Sequence, residues 1–144
     1  DLTIDFDHPV FRRASQNIQL DFARTSFLDE ISRARTFGFM HEVEFMREHG
    51  LGLGGSLDNA IVLDEKEILN TSGLRYGDEF VRHKAMDAIG DLTMLGAPIM
   101  GHIGLHKAGH DVMHEFVEKL LTSDCYKITE VVEPISLYQK IQVS

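Results

Sequence analysis

Alternation of apolar and polar residues predicts β-strands along much of the chain, because successive side chains of a strand point to opposite faces. The first such segment places Leu2, Ile4 and Phe6 on one face and is predicted to end at His8-Pro9. The same alternation, or a composition typical of strands, predicts the remaining strands at 17–22, 35–39, 59–63, 99–107, 126–132 and 135–143.

Apolar residues at helical spacing separate these strands and predict helices at 26–33, 40–49, 78–95 and 111–121. Ser26 followed three residues later by Asp29 resembles a capping box at a helix start. Gly50 and Gly96 stand just past two of the helices, where a left-handed C-terminal residue is common. The glycine-rich segment 51–56 is predicted to be a turn.

The order of these elements predicts an α+β fold. We expect a two-layer sandwich in which a mainly antiparallel sheet packs on the two long helices. No repeat, linker or low-complexity tract interrupts residues 1–144, so the chain is interpreted as a single domain.

Composition and charge narrow the class of protein. The 144 residues are 43% apolar and 26% charged, which is typical of a globular domain, and no apolar run reaches the length of about 18 that spans a membrane. A net charge of −9 argues against a nucleic-acid-binding protein. The single cysteine excludes an internal disulfide. Because Asp1 is not an initiator methionine, we expect a piece of a longer protein.

The predicted helix 78–95 carries the clearest candidate for chemistry. His83 and Asp87 are four residues apart and therefore share a helix face, where they can close two corners of a tetrahedral zinc site. Asp91 lies one turn further and can orient a ligand or a catalytic histidine. The alternative is that His83 and Asp87 form a surface ion pair. Two ligands alone also do not make a catalytic zinc site, which needs three protein ligands.

Four histidines recur every fourth residue, at 102, 106, 110 and 114. One continuous helix would align them as a metal-binding ladder, but three glycines interrupt the segment, so we reject the ladder. His110 follows Gly109 at a predicted helix start, where a protonated imidazole can meet an anionic intermediate. The alternative for His110 is an ordinary polar residue at a helix start.

Four segments together identify a family that the chain resembles: Arg33-Ala-Arg-Thr-Phe-Gly-Phe39, Leu53-Gly-Gly-Ser56, Asp78 to Leu92 with its His-Lys-x2-Asp-x3-Asp signature, and Lys107-Ala-Gly-His110. In this order and spacing they resemble the second domain of the zinc-dependent UDP-3-O-acyl-N-acetylglucosamine deacetylases of lipid A biosynthesis. These are cytoplasmic enzymes of Gram-negative bacteria.

The resemblance implies two similar α+β domains facing each other across a cleft. The first domain, which this chain does not match, would carry the third zinc ligand, a histidine, and the glutamate base. It also implies a small βαβ insert at about 35–63, which forms a passage for the acyl chain.

The resemblance also implies roles for individual residues. The Zn²⁺ ligands would be His83 and Asp87. The catalytic residues would be His110, as general acid or electrostatic stabiliser, Asp91 as its carboxylate partner, and Thr36 as a donor to the oxyanion. Substrate-binding residues would be Lys84 and Lys107 near the diphosphate, Asp5 and Phe6 at the uridine, and Phe37, Phe39, Met40, Val43 and Leu53 along the acyl passage.

These expectations lead to one predicted function and one alternative. The predicted function is zinc-dependent hydrolysis of the N-acetyl group of UDP-3-O-acyl-N-acetylglucosamine, with this chain supplying half of the active site and inactive alone. The alternative is a non-catalytic module that binds a UDP-sugar or acyl chain and has lost the first domain.

Overall fold

The computed structural model describes residues 1–130 of the chain. Within them the helices are α1 (Phe27–Glu30), α2 (Met40–Glu48), α3 (Glu79–Leu92) and α4 (His110–Leu121). The strands are β1 (Leu2–Thr3), β2 (Asn17–Ile18), β3 (Thr36–Phe39), β4 (Ala60–Leu63) and β5 (Leu105–His106). This mixture of helices and small sheets confirms the α+β class.

The strand pairing is mixed rather than mainly antiparallel in this part of the chain. One sheet has the order β2-β1-β5, in which β1 pairs antiparallel with β2 and parallel with β5. The other sheet is the parallel pair β3-β4. Helix α2 connects β3 to β4, and a helical crossover returns the chain in the same direction, which makes the pair parallel. The predicted βαβ unit is therefore present, at Thr36–Leu63.

The helix ends follow the predicted signals. The Ser26 side chain accepts a hydrogen bond from the Asp29 N–H at 3.3 Å and caps α1, although this helix ends at Glu30 rather than near 33. Gly96 has φ 71°, the left-handed value that glycine adopts most readily, after a 3₁₀ turn that follows α3. The prediction of helix ends from glycine is confirmed here.

The predicted strand at 99–107 is shorter in the structure. Only Leu105–His106 pairs, because its neighbour β1 is itself two residues long. Residues 126–130 form no strand, and the rest of that prediction, with the whole of 135–143, lies outside the described residues.

The core lies between the sheets and the two long helices. Phe11 and Phe80 are fully buried with ring centroids 4.4 Å apart, and Leu63 and Met113 join them from β4 and α4. Helix α3 buries Phe80 and Val81 in this core, so its opposite face remains available for polar side chains. Among the described helices, none is both long and apolar enough to cross a membrane.

Candidate metal centre

His83 and Asp87 face each other on the polar side of α3. The His83 Nε2 and Asp87 Oδ1 atoms are 3.4 Å apart. Two ligands of a tetrahedral ion with bonds of about 2.0–2.2 Å are separated by about 3.3 Å. The two atoms therefore have the separation that two corners of a zinc site require, and the donor set fits this ion.

The environment of His83 favours the neutral imidazole, which is the form that binds a metal. Burial lowers the pKa of His83 below its usual value, against the opposing effects of the Asp87 carboxylate and the Ala34 backbone. The Nδ1 atom of His83 is buried and makes no hydrogen bond of good geometry within the described residues. A neutral His83 can offer its Nε2 atom to a metal ion.

The second carboxylate oxygen of Asp87 faces two cationic or potentially cationic groups. Lys84 Nζ lies 3.3 Å from Asp87 Oδ2 and donates a hydrogen bond to it. His110 Nε2 lies 4.0 Å from the same oxygen. Asp87 therefore has one oxygen toward His83 and the other toward Lys84 and His110.

Asp91 holds His110 from the last turn of α3. The two residues form a hydrogen bond of 2.8 Å between His110 Nδ1 and Asp91 Oδ2. The Asp91 side chain is only 11% exposed, whereas His110, the first residue of α4, is more than half exposed. With the carboxylate accepting a hydrogen bond from Nδ1–H, the Nε2 atom lies on the side of Asp87, 4.0 Å from its Oδ2 atom.

His114 is the residue near this centre that the sequence analysis did not select. Its Nε2 atom lies 3.5 Å from Asp91 Oδ1, so the Asp91 carboxylate has one histidine at each oxygen. One helix does not carry all four histidines of the rejected ladder, but α4 does place His110 and His114 one turn apart. His102 instead contacts Asp1 at 2.7 Å, and His106 lies on β5.

An aromatic wall lies next to His83. Phe37 on β3 packs at the edge of His83 with ring centroids 6.3 Å apart, and Lys84 Nζ lies 6.0 Å from the Phe37 ring centroid. Phe6 packs edge-on against Phe37 at 5.5 Å. The structure therefore brings the predicted substrate-binding residue Phe37 beside the predicted metal ligand His83, and Phe6 lies behind Phe37.

Lys107 and Asp5 form an ion pair at the edge of the first sheet. Their side-chain atoms Nζ and Oδ2 are 2.6 Å apart, and both residues are about half exposed. The hydrogen bond from Lys107, together with its charge, holds the pKa of Asp5 below its usual value. These two predicted substrate-binding residues thus contact each other.

The remaining predicted residues lie along the βαβ unit. Phe39 and Met40 line a cleft of about 640 Å³ together with Phe6. A Cβ atom added at Gly38 would lie 3.7 Å from Val43 Cγ2, which places Val43 over β3.

Three of the predicted residues in this unit are exposed, and Met40 is one of them, at 37%. Thr36 begins β3 directly after the buried Arg35, and its side chain faces solvent. Leu53 is 77% exposed in the glycine-rich turn, away from the described core.

A family model described as LpxC, UDP-3-O-acyl N-acetylglycosamine deacetylase, matches residues 1–122. The chain belongs to the LpxC family. The resemblance inferred from the four sequence segments is therefore confirmed.

Proteins named UDP-3-O-acyl-N-acetylglucosamine deacetylase are similar to this LpxC-family chain. The one from Chromobacterium violaceum is 56% identical over 135 residues, which cover 93% of this chain and 44% of the relative. The relative from Neisseria meningitidis serogroup C is 58% identical over 123 residues, which cover 85% of this chain and 40% of the relative. The relative from Acidithiobacillus ferrooxidans is 54% identical over 131 residues, which cover 90% of this chain and 43% of the relative. The chain spans about two fifths of the length of these relatives.

Proposed function

We propose that this chain supplies part of the active site of a zinc-dependent hydrolase that removes the N-acetyl group of UDP-3-O-acyl-N-acetylglucosamine. The observation that carries the proposal is that His83, Asp87, His110 and Asp91 form a chain of contacts of 4.0 Å or less in a member of the LpxC family: His83 contacts Asp87, His110 lies near Asp87, and His110 is paired with Asp91. The names of the relatives supply the reaction and the substrate.

His83 and Asp87 would hold the zinc ion. Bound zinc supplies a water of lowered pKa and polarises the amide carbonyl. Catalytic zinc sites take three protein ligands, and the pair on α3 provides two. The third ligand, a histidine, and the glutamate base are assigned to the first domain, within the part of the relatives' length that this chain does not span.

His110 acts on the reacting amide through its Nε2 atom. Asp91 accepts a hydrogen bond from the His110 Nδ1–H, which holds His110 in one orientation and would stabilise an imidazolium formed during the reaction. A protonated His110 stabilises the oxyanion and donates a proton to the departing amine. The hydroxyl of Thr36 donates a second hydrogen bond to the oxyanion. A single oxyanion donor contributes about 3–4 kcal/mol to transition-state stabilisation.

The nucleotide and acyl parts of the substrate bind to residues around this centre. Asp5 and Phe6 contact the uridine, and Lys84 and Lys107 contact the diphosphate. To bind the diphosphate, Lys107 gives up its exposed ion pair with Asp5 and forms one with a phosphate group. The acyl chain gains about 0.8 kcal/mol for each methylene that it buries. The residues that bury it are Phe37, Phe39, Met40, Val43 and Leu53.

The family resemblance carries the remaining parts of the proposal. Residues 1–144 form the second domain of the deacetylase, with an insert at about 35–63. The enzyme acts in the cytoplasm of a Gram-negative bacterium that makes lipid A.

A complementation assay tests the proposal. The chain is assayed for zinc-dependent deacetylation alone, then mixed with or fused to the first domain of an LpxC-family member. Activity only in the mixed or fused samples is the expected result. A folded chain that binds the substrate but gives no activity in any sample would support the non-catalytic binding module instead. Activity of the chain alone would contradict the assignment of the third ligand and the base to another domain.

A further inference from the structure

The carboxamide of Asn70 takes the place of a neighbouring strand along one edge of β4. Asn70 is 5% exposed and lies outside the regular elements. Its Oδ1 atom accepts a hydrogen bond of 2.9 Å from the Val62 N–H, and its Nδ2 atom donates one of 2.8 Å to the Ala60 carbonyl. The other edge of β4 pairs with β3. The side chain of Asn70 therefore satisfies backbone groups that the sheet leaves open.

The same carboxamide reaches the turn that leads back from α2. The Nδ2 atom of Asn70 also donates a hydrogen bond of 2.7 Å to the Leu57 carbonyl. Leu57 directly follows the glycine-rich segment 51–56, whose residues are all exposed. An exposed segment rich in glycine has few packing contacts to hold it in place. The hydrogen bond from Asn70 therefore attaches the end of this segment to the buried strand β4.

The strand that Asn70 holds lies beside the proposed acyl passage. Val62 is opposite Gly38 in the register of β3 and β4. The neighbours of Gly38 along β3 are Phe37 and Phe39, two of the residues proposed to bury the acyl chain. Leu53, a third such residue, lies in the glycine-rich segment. A displacement of β4 or of that segment would therefore move residues of the passage.

Asn70 is itself fixed from the side of α3. Its carbonyl accepts a hydrogen bond of 3.0 Å from the Gly73 N–H, and the Gly73 carbonyl accepts one of 2.8 Å from Arg35 Nη2. Arg35 is held in turn by the buried Glu79 carboxylate. The hydrogen bonds of Asn70 therefore connect backbone groups of residues 57–73 to a fixed point, and within the described part of the chain they involve neither proposed metal ligand.

We propose that Asn70 is a positioning residue that sets the preference of the βαβ unit for long acyl chains. The inference rests on the proposed function, from which it takes the substrate and the acyl passage. Loss of the carboxamide leaves the Val62 N–H and the Ala60 carbonyl without partners, so β4 moves to satisfy them and the passage loses contacts with the chain. Each methylene that is no longer buried weakens binding about fourfold.

Calorimetric titration of the full-length protein with the long-chain substrate and with a short-chain analogue tests the proposal. Asn70→Ala should raise Kd for the long-chain ligand about 15-fold, the effect of two methylenes, and leave Kd for the short-chain analogue within about twofold. Asn70→Ser keeps one hydrogen-bonding group and should shift the long-chain Kd in the same direction by less. This variant carries the test if the alanine protein does not fold.

Amide hydrogen exchange provides a readout that does not depend on the ligand. Exchange should accelerate over residues 51–63 in the Asn70 variants and stay unchanged along α3. Asn17→Ala, at an exposed asparagine of β2, is the control and should match the wild type in both measurements.

Three results would overturn the proposal: an unchanged ratio of the two Kd values in Asn70→Ala, an equal rise of both values, or unchanged exchange over 51–63. An equal rise is what a general loss of structure would produce. Turnover separates this question from the proposed function. A wild-type protein that binds both ligands and hydrolyses neither would contradict the deacetylase proposal, and the ratio of Kd values would still decide the role of Asn70.

Discussion

Arg35 and Glu79 form a buried ion pair that ties the start of β3 to the start of α3. Arg35 donates from its backbone N–H and from Nε to Glu79 Oε1, at 3.0 and 2.9 Å. The two side chains are 4% and 0% exposed. Arg35 immediately precedes Thr36, and Glu79 lies one turn before His83. The pair therefore connects the two segments that carry the proposed oxyanion donor and the proposed metal ligand.

Replacing Glu79 by glutamine is expected to destabilise the protein strongly. The Glu79→Gln variant leaves the Arg35 guanidinium buried without its countercharge, which costs about 3–5 kcal/mol of unfolding free energy. Urea denaturation of wild type and variant measures the change. The control is Glu115→Gln, which removes the exposed partner of Lys119 and should have no measurable effect. A loss no larger than that of the control would contradict the role of the pair.

The same pair predicts a pH dependence of stability. Burial raises the pKa of Glu79, but hydrogen bonds from Arg35 and from the Arg75 backbone outweigh it and hold the pKa below its ordinary value. A carboxylate of lowered pKa stabilises the fold above its unfolded pKa, near 4.5, and this stabilisation is lost as the pH falls toward the folded pKa. The stability difference between wild type and Glu79→Gln should therefore be constant near neutral pH and shrink below about pH 4.5. A difference that stays the same in acid would show that the Glu79 charge contributes nothing.

Replacing Asp91 by asparagine tests the orientation of His110 separately from metal binding. The Asp91→Asn variant loses the charge that stabilises the His110 imidazolium, so kcat should fall about 10- to 100-fold with little change in KM. Zinc at His83 and Asp87 should remain bound. Steady-state kinetics and metal analysis of the full-length protein measure both effects.

Asp111→Asn is the matched control for this variant, because Asp111 is an exposed carboxylate next to His110 in the chain, whereas the side chain of His110 pairs with Asp91. Equal kcat values for the two variants would argue against a role for Asp91.

Truncation of Val43 tests the proposed acyl passage. Val43→Ala removes apolar surface over β3, so KM for a long-chain substrate should rise severalfold, up to about tenfold. KM for a short-chain analogue should change little. Val112→Ala, at an exposed valine of α4, is the control and should leave both KM values unchanged. An equal rise for both chain lengths would place the acyl chain elsewhere.

Local patterns in the sequence were sufficient to predict that the proposed site residues of α3 lie on one face of the helix. His83, Asp87 and Asp91 share that face because four-residue spacing matches a helical turn. Strand length and direction were not predictable in the same way, because they depend on the partner strand. The segment 99–107 contains a strand only where it meets β1, and β3 pairs parallel with β4 because α2 lies between them.

Contacts between distant residues escaped the sequence analysis for a different reason. Glu79 is 44 positions from Arg35, and no local spacing connects them. His114 was rejected with the four-histidine ladder because the glycines before His110 break any helix through 102–109. Only the packing of α4 on α3 brings His114 to Asp91.

The most direct test of the central claim is zinc-dependent deacetylation by the full-length protein with His83 replaced by alanine. Loss of a metal ligand should abolish turnover of UDP-3-O-acyl-N-acetylglucosamine together with the tightly bound zinc. The His49→Ala protein, altered at an exposed histidine just past the end of α2, should retain both. Unchanged activity of the His83→Ala protein would contradict the assignment of the metal centre to α3.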